Sequence, residues 1–432
     1  MESSAKIVQY KCPSCNGIME FDPKEGKLKC PWCGTMAAEE DLEKQETESG
    51  GTEPGSGTSV SDQMQHSAGW GENAQQMQGY KCSSCGAELV ADAHTVATRC
   101  PYCGNNAVTA DPFHETIRPD YVIPFAHTKE EVKQKYREYT QKKRFFLPAA
   151  FTNQSYIDEI QGVYVPFWLY SGRAEGEFLF TACDEETTKN KDARETTKTS
   201  YDVVRAGSLA FSKVPADASA RMPDDLMDSL EPYDYAGLKP FDMSYLPGFL
   251  TESFDVGDAE DEKRAEQRIT NSFRLQMEQT VKHKQVRVKE ERIHIGEKKT
   301  EYALFPVWML STKWNGKTFL FAMNGQNGRM TGDLPVNPAK KWGFIAVLFI
   351  ALLLLLHLPL QNWIVDLILA AIITLIVSAI VLSSMKPVAR RTQAGEYTEG
   401  KLLLTREEER VTGKERIAKP VSSGEPSKKK QG

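Results

Sequence analysis

Eight of the nine cysteines form two quartets with identical spacing, and these are the residues of the chain best suited to chemistry. Each quartet reads C-x2-C-x14-C-x2-C, so the chain contains an internal repeat. Two cysteines three residues apart can bring both sulfurs to one metal ion if the backbone turns tightly around them. Two such pairs complete the tetrahedral four-sulfur site that Zn2+ prefers. The sequence therefore predicts two zinc sites with these ligands: Cys12, Cys15, Cys30 and Cys33, then Cys82, Cys85, Cys100 and Cys103.

A site with four protein ligands leaves no position for water, so both zinc ions are expected to be structural rather than catalytic. The thiolate count alone leaves iron or an iron–sulfur cluster as an alternative occupant. The spacing also permits a pair from one quartet to combine with a pair from the other. A cytoplasmic location, argued below, would keep the thiols reduced and favour metal binding over disulfides.

Short strands are needed to hold the two pairs of each quartet together. They are expected at 18–21 and 27–29 in the first quartet, and at 88–90 and 95–98 in the second. Each quartet would then be a small zinc ribbon, at residues 1–38 and 79–110, that cannot fold without its metal. Between the ribbons, residues 39–78 are rich in Glu, Gly, Ser, Thr and Gln and predict a flexible linker. The ribbons are therefore expected to move independently.

Residues 111–338 predict an α+β domain. Thr128 and Glu131 form a capping box at the start of a helix, and a long charged helix is expected from near Asp258. Two similar segments, Val-Pro-Phe-Trp-Leu at 165–169 and Phe-Pro-Val-Trp-Met at 305–309, are each followed by a glycine and an apolar stretch. These segments predict two similar β-hairpins, whose tryptophans pack in a core rather than form a ligand platform.

Cys183 lies outside the quartets, and the sequence around it predicts a packed thiol rather than a nucleophile. We find no phosphate-binding loop, G-x-S-x-G motif or H-E-x-x-H motif in the sequence. No catalytic residue and no small-molecule substrate is therefore predicted.

Residues 339–386 contain two apolar stretches, each about 20 residues long, which is the length of a membrane-spanning helix. They are separated by a short segment with Pro359, Gln361 and Asn362. Basic residues flank the pair, but none lies between the two stretches, so both termini are expected in the cytoplasm. A buried hairpin in a soluble core and a re-entrant hairpin are the alternatives. Asp366 and His357 are the ionisable residues of this hairpin, and both are expected near its outer end.

The remaining composition fits a mostly soluble chain that carries one membrane element. The chain has 432 residues, 26% of them charged, and a net charge of -6, which argues against a protein dominated by phosphate-backbone binding. The N-terminal residues lack the apolar stretch of a secretory signal peptide. Residues 387–432 predict a polar, partly disordered tail. The predicted fold class is a multidomain α+β membrane protein with two zinc ribbons and a C-terminal two-helix hairpin.

The chain resembles a bacterial family of TFIIB-type zinc-ribbon-containing membrane proteins. The resemblance rests on the paired C-P-x-C-G motifs, the tryptophan segments, the stretch N-G-K-T-F-L-F-A-M-N-G-Q-N-G-R-M-T-G-D-L-P and the C-terminal hairpin. It implies that the eight paired cysteines bind metal. It also implies partners in envelope-stress systems, which include phage-shock-protein-A-like and flotillin-like (SPFH) proteins.

Three functions follow as hypotheses. The first is a non-enzymatic adaptor in the cell membrane, whose ribbons and α+β domain bind cytosolic or membrane-associated proteins. The alternative is a membrane-tethered nucleic-acid-binding protein, because five lysines and a tryptophan lend the first ribbon a basic and aromatic character. These residues are Lys6, Lys11, Lys24, Lys27, Lys29 and Trp32. An enzyme within residues 115–335 is the third hypothesis.

Overall fold

The computed structural model describes most of the chain in two compact units. The described residues are 10–38, 41–42, 77–92, 95, 97, 99–106, 108–111, 117–141, 143–189, 193–219, 221–253, 258–332, 334–360, 363–383 and 398–420. Unit 1 comprises residues 1–168, 217–257 and 301–391, and unit 2 comprises 169–216, 258–300 and 392–432. Most of the predicted linker, 43–76, lies outside the described residues.

The structure contains far more strand than the sequence predicts, because several strands are very long. The strands are β1 (Glu20–Asp22), β2 (Lys27–Lys29), β3 (Met36–Ala37), β4 (Met77–Cys82), β5 (Glu88–Asp92), β6 (Val108–Asp111), β7 (Tyr121–Val122), β8 (Gln161–Lys189), β9 (Ala193–Asp217), β10 (Lys239–Pro240), β11 (Leu250–Glu252), β12 (Gln285–Trp314), β13 (Lys317–Asn324), β14 (Met330–Gly332) and β15 (Thr398–Pro420). The helices are α1 (Lys129–Gln141), α2 (Gln154–Ile157), α3 (Asp224–Leu230), α4 (Asp258–Gln279), α5 (Pro338–Leu360) and α6 (Trp363–Ser383).

In unit 1, the first quartet lies on a separate three-stranded sheet with the order β1-β2-β3. The two strands predicted there are confirmed, and Phe21 pairs with Leu28 in an antiparallel register. Both side chains are buried. This small sheet brings the two cysteine pairs of the first quartet to one end.

The second quartet has a different setting, because its strands belong to the large sheet of unit 1. The strand order there is β10-β7-β12-β8-β11-β5-β4-β6. The strand predicted at 88–90 is confirmed, but the one predicted at 95–98 is not observed at its described residues. Strand β5 pairs with β4 on one side and with β11 on the other, and Thr95 and Ala97 lie outside any strand. Backbone hydrogen bonds therefore join this ribbon directly to the domain that follows it.

The core of unit 1 is built from the two tryptophan segments. Trp168 and Trp308 are both buried, as core packing predicts. The ring of Phe125 stacks on Phe249 with centroids 4.1 Å apart and meets Trp308 edge-on at 5.1 Å. Aromatic pairs in these geometries stabilise a core beyond the area they bury.

The hairpin predicted after the second tryptophan segment is confirmed. Trp314 pairs with Lys317 across Asn315 and Gly316, whose φ angles are 48° and 73°. A two-residue turn of this kind requires positive φ at both positions, which Asn and Gly tolerate best. The capping box is also confirmed, since the Thr128 amide donates to the Glu131 carboxylate at 3.1 Å and the Glu131 amide donates to Thr128 Oγ1 at 3.4 Å.

The hairpin predicted after the first tryptophan segment is wrong. Strand β8 runs without interruption through Gly176. A Cβ atom at Gly176 would lie 2.6 Å from the carbonyl oxygen of Arg292, so glycine here allows a close approach to β12 rather than a turn. The Gly-Glu-Lys-Lys sequence at 296–299 also predicts a turn, and this prediction is wrong because β12 continues through these residues.

Unit 2 is a sheet covered by helix α4. The helix buries Ala265, Ile269, Phe273 and Met277 at a spacing of four residues, and Phe273 meets Phe178 of β8 edge-on at 5.5 Å. This spacing places one apolar face on the sheet. The predicted start of the helix near Asp258 is confirmed.

The tail at 387–432, predicted to be polar and partly disordered, contains a long strand at residues 398–420 that the sequence did not predict. These residues form β15, which pairs with β9 along nearly its whole length, with three register shifts. Polar side chains hid this strand from the sequence analysis, because an edge strand needs no apolar alternation when few of its side chains are buried. The other residues of the tail lie outside the described part of the chain.

Several ion pairs join β15 to other residues of unit 2, and the shortest is the one between Arg205 and Glu409. Arg205 of β9 is almost fully buried, and its Nη2 atom donates to Glu409 Oε1 at 2.5 Å. Arg205 holds the pKa of Glu409 below its ordinary value of 4.5, against a smaller opposing effect of burial. The contribution of this pair to stability is complete above pH 4.5 and is lost as the pH falls through the lowered pKa.

We predict that Arg205→Met weakens the attachment of β15 by ~1 kcal/mol, because Glu409 is half exposed and keeps part of its hydration. Amide hydrogen exchange of 398–416 should accelerate severalfold at pH 7. After correction for the intrinsic exchange rate at each pH, the extra protection of the wild type over this variant should shrink as the pH falls below 4.5. Equal pH dependence in the two proteins would contradict the assignment.

Candidate metal centres

The first quartet brings four sulfur atoms together at one end of the small sheet. The Sγ atoms of Cys12 and Cys33 lie 3.4 Å apart, and those of Cys15 and Cys30 lie 3.5 Å apart. All four atoms lie within 4.8 Å of one another. Each pair therefore stays within its own quartet, and the alternative in which pairs combine across quartets is not observed.

The second quartet repeats this geometry. The distances between Sγ atoms are 3.7 Å for Cys82 and Cys103 and 3.6 Å for Cys85 and Cys100. The four atoms again lie within 4.8 Å of one another. No third cluster of this kind is found among the residues that the structure describes.

Both sets of sulfur atoms fit a tetrahedral metal ion. Four sulfurs at a zinc–sulfur distance of about 2.3 Å are separated from each other by about 3.8 Å. The sulfur distances in both quartets are close to this value and far beyond the length of a disulfide bond. All nine cysteines are free thiols in the structure.

The same local turn shapes all four cysteine pairs. The residue after the second cysteine adopts a positive φ in every case: 59° at Asn16, 77° at Gly34, 74° at Gly86 and 64° at Gly104. Its amide donates to the carbonyl of the first cysteine at 2.8 to 2.9 Å. Glycine and asparagine adopt this conformation most readily. The sequence signal for the turn is therefore these residues rather than proline, which Ser83 replaces in the third pair.

Backbone amides prepare one thiol of each centre to ionise. Burial opposes ionisation of Cys12, but hydrogen bonds from the amides of Ser14 and Cys15 outweigh it and lower the pKa to about 6. Burial likewise opposes ionisation of Cys82, and the amides of Cys85 and Ser84 lower its pKa to about 7.

One further thiol in each centre resists ionisation without a cation, Cys15 in the first and Cys100 in the second. The amide of Gly17 favours the thiolate of Cys15, but hydrogen bonding with Cys33 and Cys30 raises its pKa to about 12. Burial is the main cause that raises the pKa of Cys100 above its ordinary value. Four adjacent thiolates repel each other, so a bound cation is what allows all of them to be deprotonated.

The second centre is anchored to the large sheet by side chains that the sequence analysis missed. Ser311 Oγ donates to the carbonyl of Tyr102 at 2.9 Å, and Arg221 Nη2 donates to the carbonyl of Gly86 at 3.0 Å. Burial and the neighbouring charge of Glu252 raise the pKa of Tyr102 well above its ordinary value. These contacts come from distant parts of the chain, and no local pattern announces them.

The first centre carries an exposed aromatic residue at the position equivalent to Tyr102. Trp32 is 81% exposed, whereas Tyr102 is 8% exposed. The indole lies beside Gly17, where a Cβ atom would come within 2.9 Å of it. Ile18 and Met36 of the same ribbon are also exposed. The two centres thus share their metal geometry but differ in what surrounds it.

Other residues of the first ribbon pack against later segments of unit 1. Phe21 meets Tyr245 edge-on at 5.3 Å, and its amide donates to the carbonyl of Pro247 at 3.1 Å. Lys24 lies 2.7 Å from Glu131 and is the main cause that lowers the pKa of that carboxylate to about 2. These contacts indicate that the first ribbon is attached to the rest of unit 1, whereas the sequence predicts that it moves independently.

We predict two metal ions per chain and the loss of one on either Cys15→Ser or Cys85→Ser, because a three-sulfur site loses most of its affinity. Cys183→Ser is the matched control and should retain both ions, since Cys183 takes part in neither cluster. Elemental analysis of purified protein measures the stoichiometry. Two retained ions in Cys15→Ser would contradict the assignment of the first centre.

Comparison with known proteins gives one informative match. The chain is 32% identical over 335 residues to the uncharacterized protein YdjG of Bacillus subtilis (strain 168), and the match covers 77% of this chain and 92% of that protein. No family model matches the chain, and no solved structure matches it. Identity at this level over most of both chains shows common ancestry, and the chain therefore belongs to the family of YdjG.

Proposed function

We propose that this protein is a non-enzymatic, membrane-anchored adaptor that binds cytosolic or membrane-associated proteins through its first zinc ribbon. Three features support the proposal: a hairpin suited to lipid, two closed four-thiolate centres and an exposed tryptophan on the first ribbon. The single observation that carries the partner-binding part is the 81% exposure of Trp32.

The surface of the α5–α6 hairpin supports membrane insertion more strongly than its composition does. Both helices are long and apolar enough to cross a membrane. Helix α6 contacts α5, and its buried residues are Asp366, Ala370, Thr374 and Ser378. The exposed residues are large and apolar, among them Val347, Ile350, Leu354, Leu355, Leu367, Ile368, Ile372, Leu375, Ile376 and Ile380.

This arrangement is the reverse of a hairpin in a soluble core, which buries its apolar face and exposes its polar one. Small and hydroxylated residues between helices are typical of packing in a lipid bilayer, where large apolar side chains face the acyl chains. The lone Asp366 is buried at this helix interface, so we assign it to contact between the two helices rather than to proton transfer. The side chain of His357 lies outside the described residues.

The charges that flank the hairpin support a cytoplasmic location for both soluble ends. Lys340 and Lys341 lie in the first turn of α5, while the connection at 361–362 is Gln-Asn. Basic residues near a membrane-spanning segment remain on the cytoplasmic side. A reducing compartment is also the one in which four-thiolate centres persist.

Zinc is the proposed occupant of both centres. A closed tetrahedral set of four thiolates suits Zn2+, and the absence of an open coordination position favours a structural role. Holding the first ribbon folded would keep Trp32 in place for a partner.

The proposed partners are proteins of envelope-stress systems, such as phage-shock-protein-A-like and SPFH proteins. This part rests on the family resemblance of the sequence. An exposed tryptophan is the kind of residue that dominates the binding energy of protein interfaces.

Nucleic-acid binding is the alternative, and one observation bears on it. Two of the lysines that make the first ribbon basic are engaged in ion pairs, Lys24 with Glu131 and Lys29 with Asp22. Lys11 and Lys27 of the same ribbon are exposed. The ribbon thus has fewer free cations for phosphate than its sequence suggests.

We predict that Trp32→Ala lowers the recovery of proteins that co-purify with the detergent-solubilised chain by about tenfold or more, the loss expected for a central interface residue. The variant should keep both metal ions. Leu275→Ala, an exposed apolar residue on α4, is the matched control and should bind partners as the wild type does. Unchanged recovery with Trp32→Ala would refute docking on this ribbon, and salt-sensitive recovery of nucleic acid instead would favour the alternative.

We also predict that reporter proteins fused to either terminus of the full chain report a cytoplasmic location. A fluorescent protein that requires the cytoplasm should be bright at both termini, and alkaline phosphatase should be inactive at both. Activity of alkaline phosphatase at one terminus would contradict a two-helix hairpin.

A further inference from the structure

A tight turn at residues 143–147 lies against the base of the hairpin. The carbonyl of Phe146 accepts a hydrogen bond from the Asn337 amide at 2.8 Å, and the carbonyl of Leu147 accepts one from Lys340 Nζ at 2.9 Å. Asn337 also accepts from the amide of Ala339 at the start of α5. The turn is therefore fixed relative to the first turn of the first hairpin helix.

Aromatic packing continues this contact along α5. Phe146 is buried and meets Phe344 edge-on at 5.3 Å, in a cluster with Leu147, Phe151 and Leu334. Phe145 meets Phe146 edge-on at 4.9 Å and lies 6.3 Å from Phe344. Phe145 nevertheless remains 63% exposed. The Phe145 side chain therefore contacts the buried aromatic cluster and is still largely exposed to solvent.

The level of Phe145 along the hairpin follows from its distance to Phe344. Phe344 lies two residues beyond Trp342, which is ~3 Å further along a helix. Lys340 and Lys341 lie just before Trp342. Basic residues followed by tryptophan mark the level of lipid headgroups, where aromatic rings are enriched. Phe145 therefore lies at the level of the interface rather than in the cytoplasm.

The charge around Phe145 matches an anionic lipid surface. Arg144 is exposed, and Lys143 lies 4.7 Å above the ring of Tyr139. Residues 142–151 include no acidic residue. A patch of cations and one exposed aromatic ring is suited to phospholipid headgroups, with the ring at the boundary of the acyl chains.

We propose that the turn at 143–147 is a second membrane contact, in which Phe145 enters the headgroup region and Arg144 binds anionic phospholipid. The contact rests on the proposed membrane hairpin and goes beyond it. It would hold this edge of unit 1 on the bilayer surface, so that the unit does not swing freely on the hairpin.

The test is site-specific photo-crosslinking of the full chain in vesicles of phosphatidylcholine with phosphatidylglycerol. A benzophenone derivative of phenylalanine replaces one residue at a time: Phe145, Ile350 or Trp32. Ile350 is exposed on α5 and reports insertion of the hairpin, while Trp32 reports a surface of the first ribbon. Adducts are identified by mass spectrometry.

The expected result is phospholipid adducts at positions 145 and 350 and essentially none at position 32. Arg144→Gln should reduce adducts with phosphatidylglycerol at position 145 by about fivefold, the effect of one cation near an anionic surface. It should leave adducts at position 350 unchanged.

Adducts at 350 without adducts at 145 would overturn the second contact and leave the hairpin intact. No adducts at 350 would overturn the membrane hairpin and the second contact with it. Adducts at 145 that are insensitive both to Arg144→Gln and to removal of phosphatidylglycerol would refute the role of anionic lipid.

Discussion

Each copy of the cysteine repeat brings four sulfur atoms within 4.8 Å of one another, and the structure depends on how these sulfurs are kept together. Four thiolates at this separation repel each other. Such a set can be fully deprotonated only around a cation, so metal binding and local folding become one event. At the second centre the consequence extends further, because β5 pairs with both β4 and β11, and β11 pairs with β8. The metal there would stabilise one edge of the large sheet and not only its own ribbon.

The two copies of the repeat differ in surroundings rather than in metal chemistry. Tyr102 is buried beside Glu252 and its carbonyl accepts from Ser311, whereas Trp32 projects into solvent. Duplication thus provides one ribbon that is part of a fold and one that presents a surface. The α5–α6 hairpin has an apolar exterior, and in the proposed membrane-anchored protein lipid covers this surface.

Local chemistry was predictable from sequence and long-range pairing was not. The cysteine spacing identified both centres, Asn315-Gly316 identified its hairpin, and Thr128 with Glu131 identified the start of α1. Each of these signals acts within a few residues. The errors concern partners far apart in the chain: β5 pairs with β11, Gly176 accommodates the backbone of Arg292, and β15 pairs with β9. Two sequence signals were misleading: Gly176 predicted a turn, and the polar residues at 398–420 predicted disorder. Neither signal contains information about the neighbouring strand in the sheet.

The central claim is that the second centre stabilises the large sheet, whereas the first centre stabilises only its own ribbon. Amide hydrogen exchange of the full chain in lipid nanodiscs tests this claim most directly. The variants to compare are Cys15→Ser and Cys85→Ser, each lacking one metal ion. We predict faster exchange confined to residues 10–38 in the first variant. In the second variant, faster exchange should spread from β4 and β5 through β11 to the start of β8. Equally confined effects in both variants, or a spread from the first centre to the large sheet, would contradict the account.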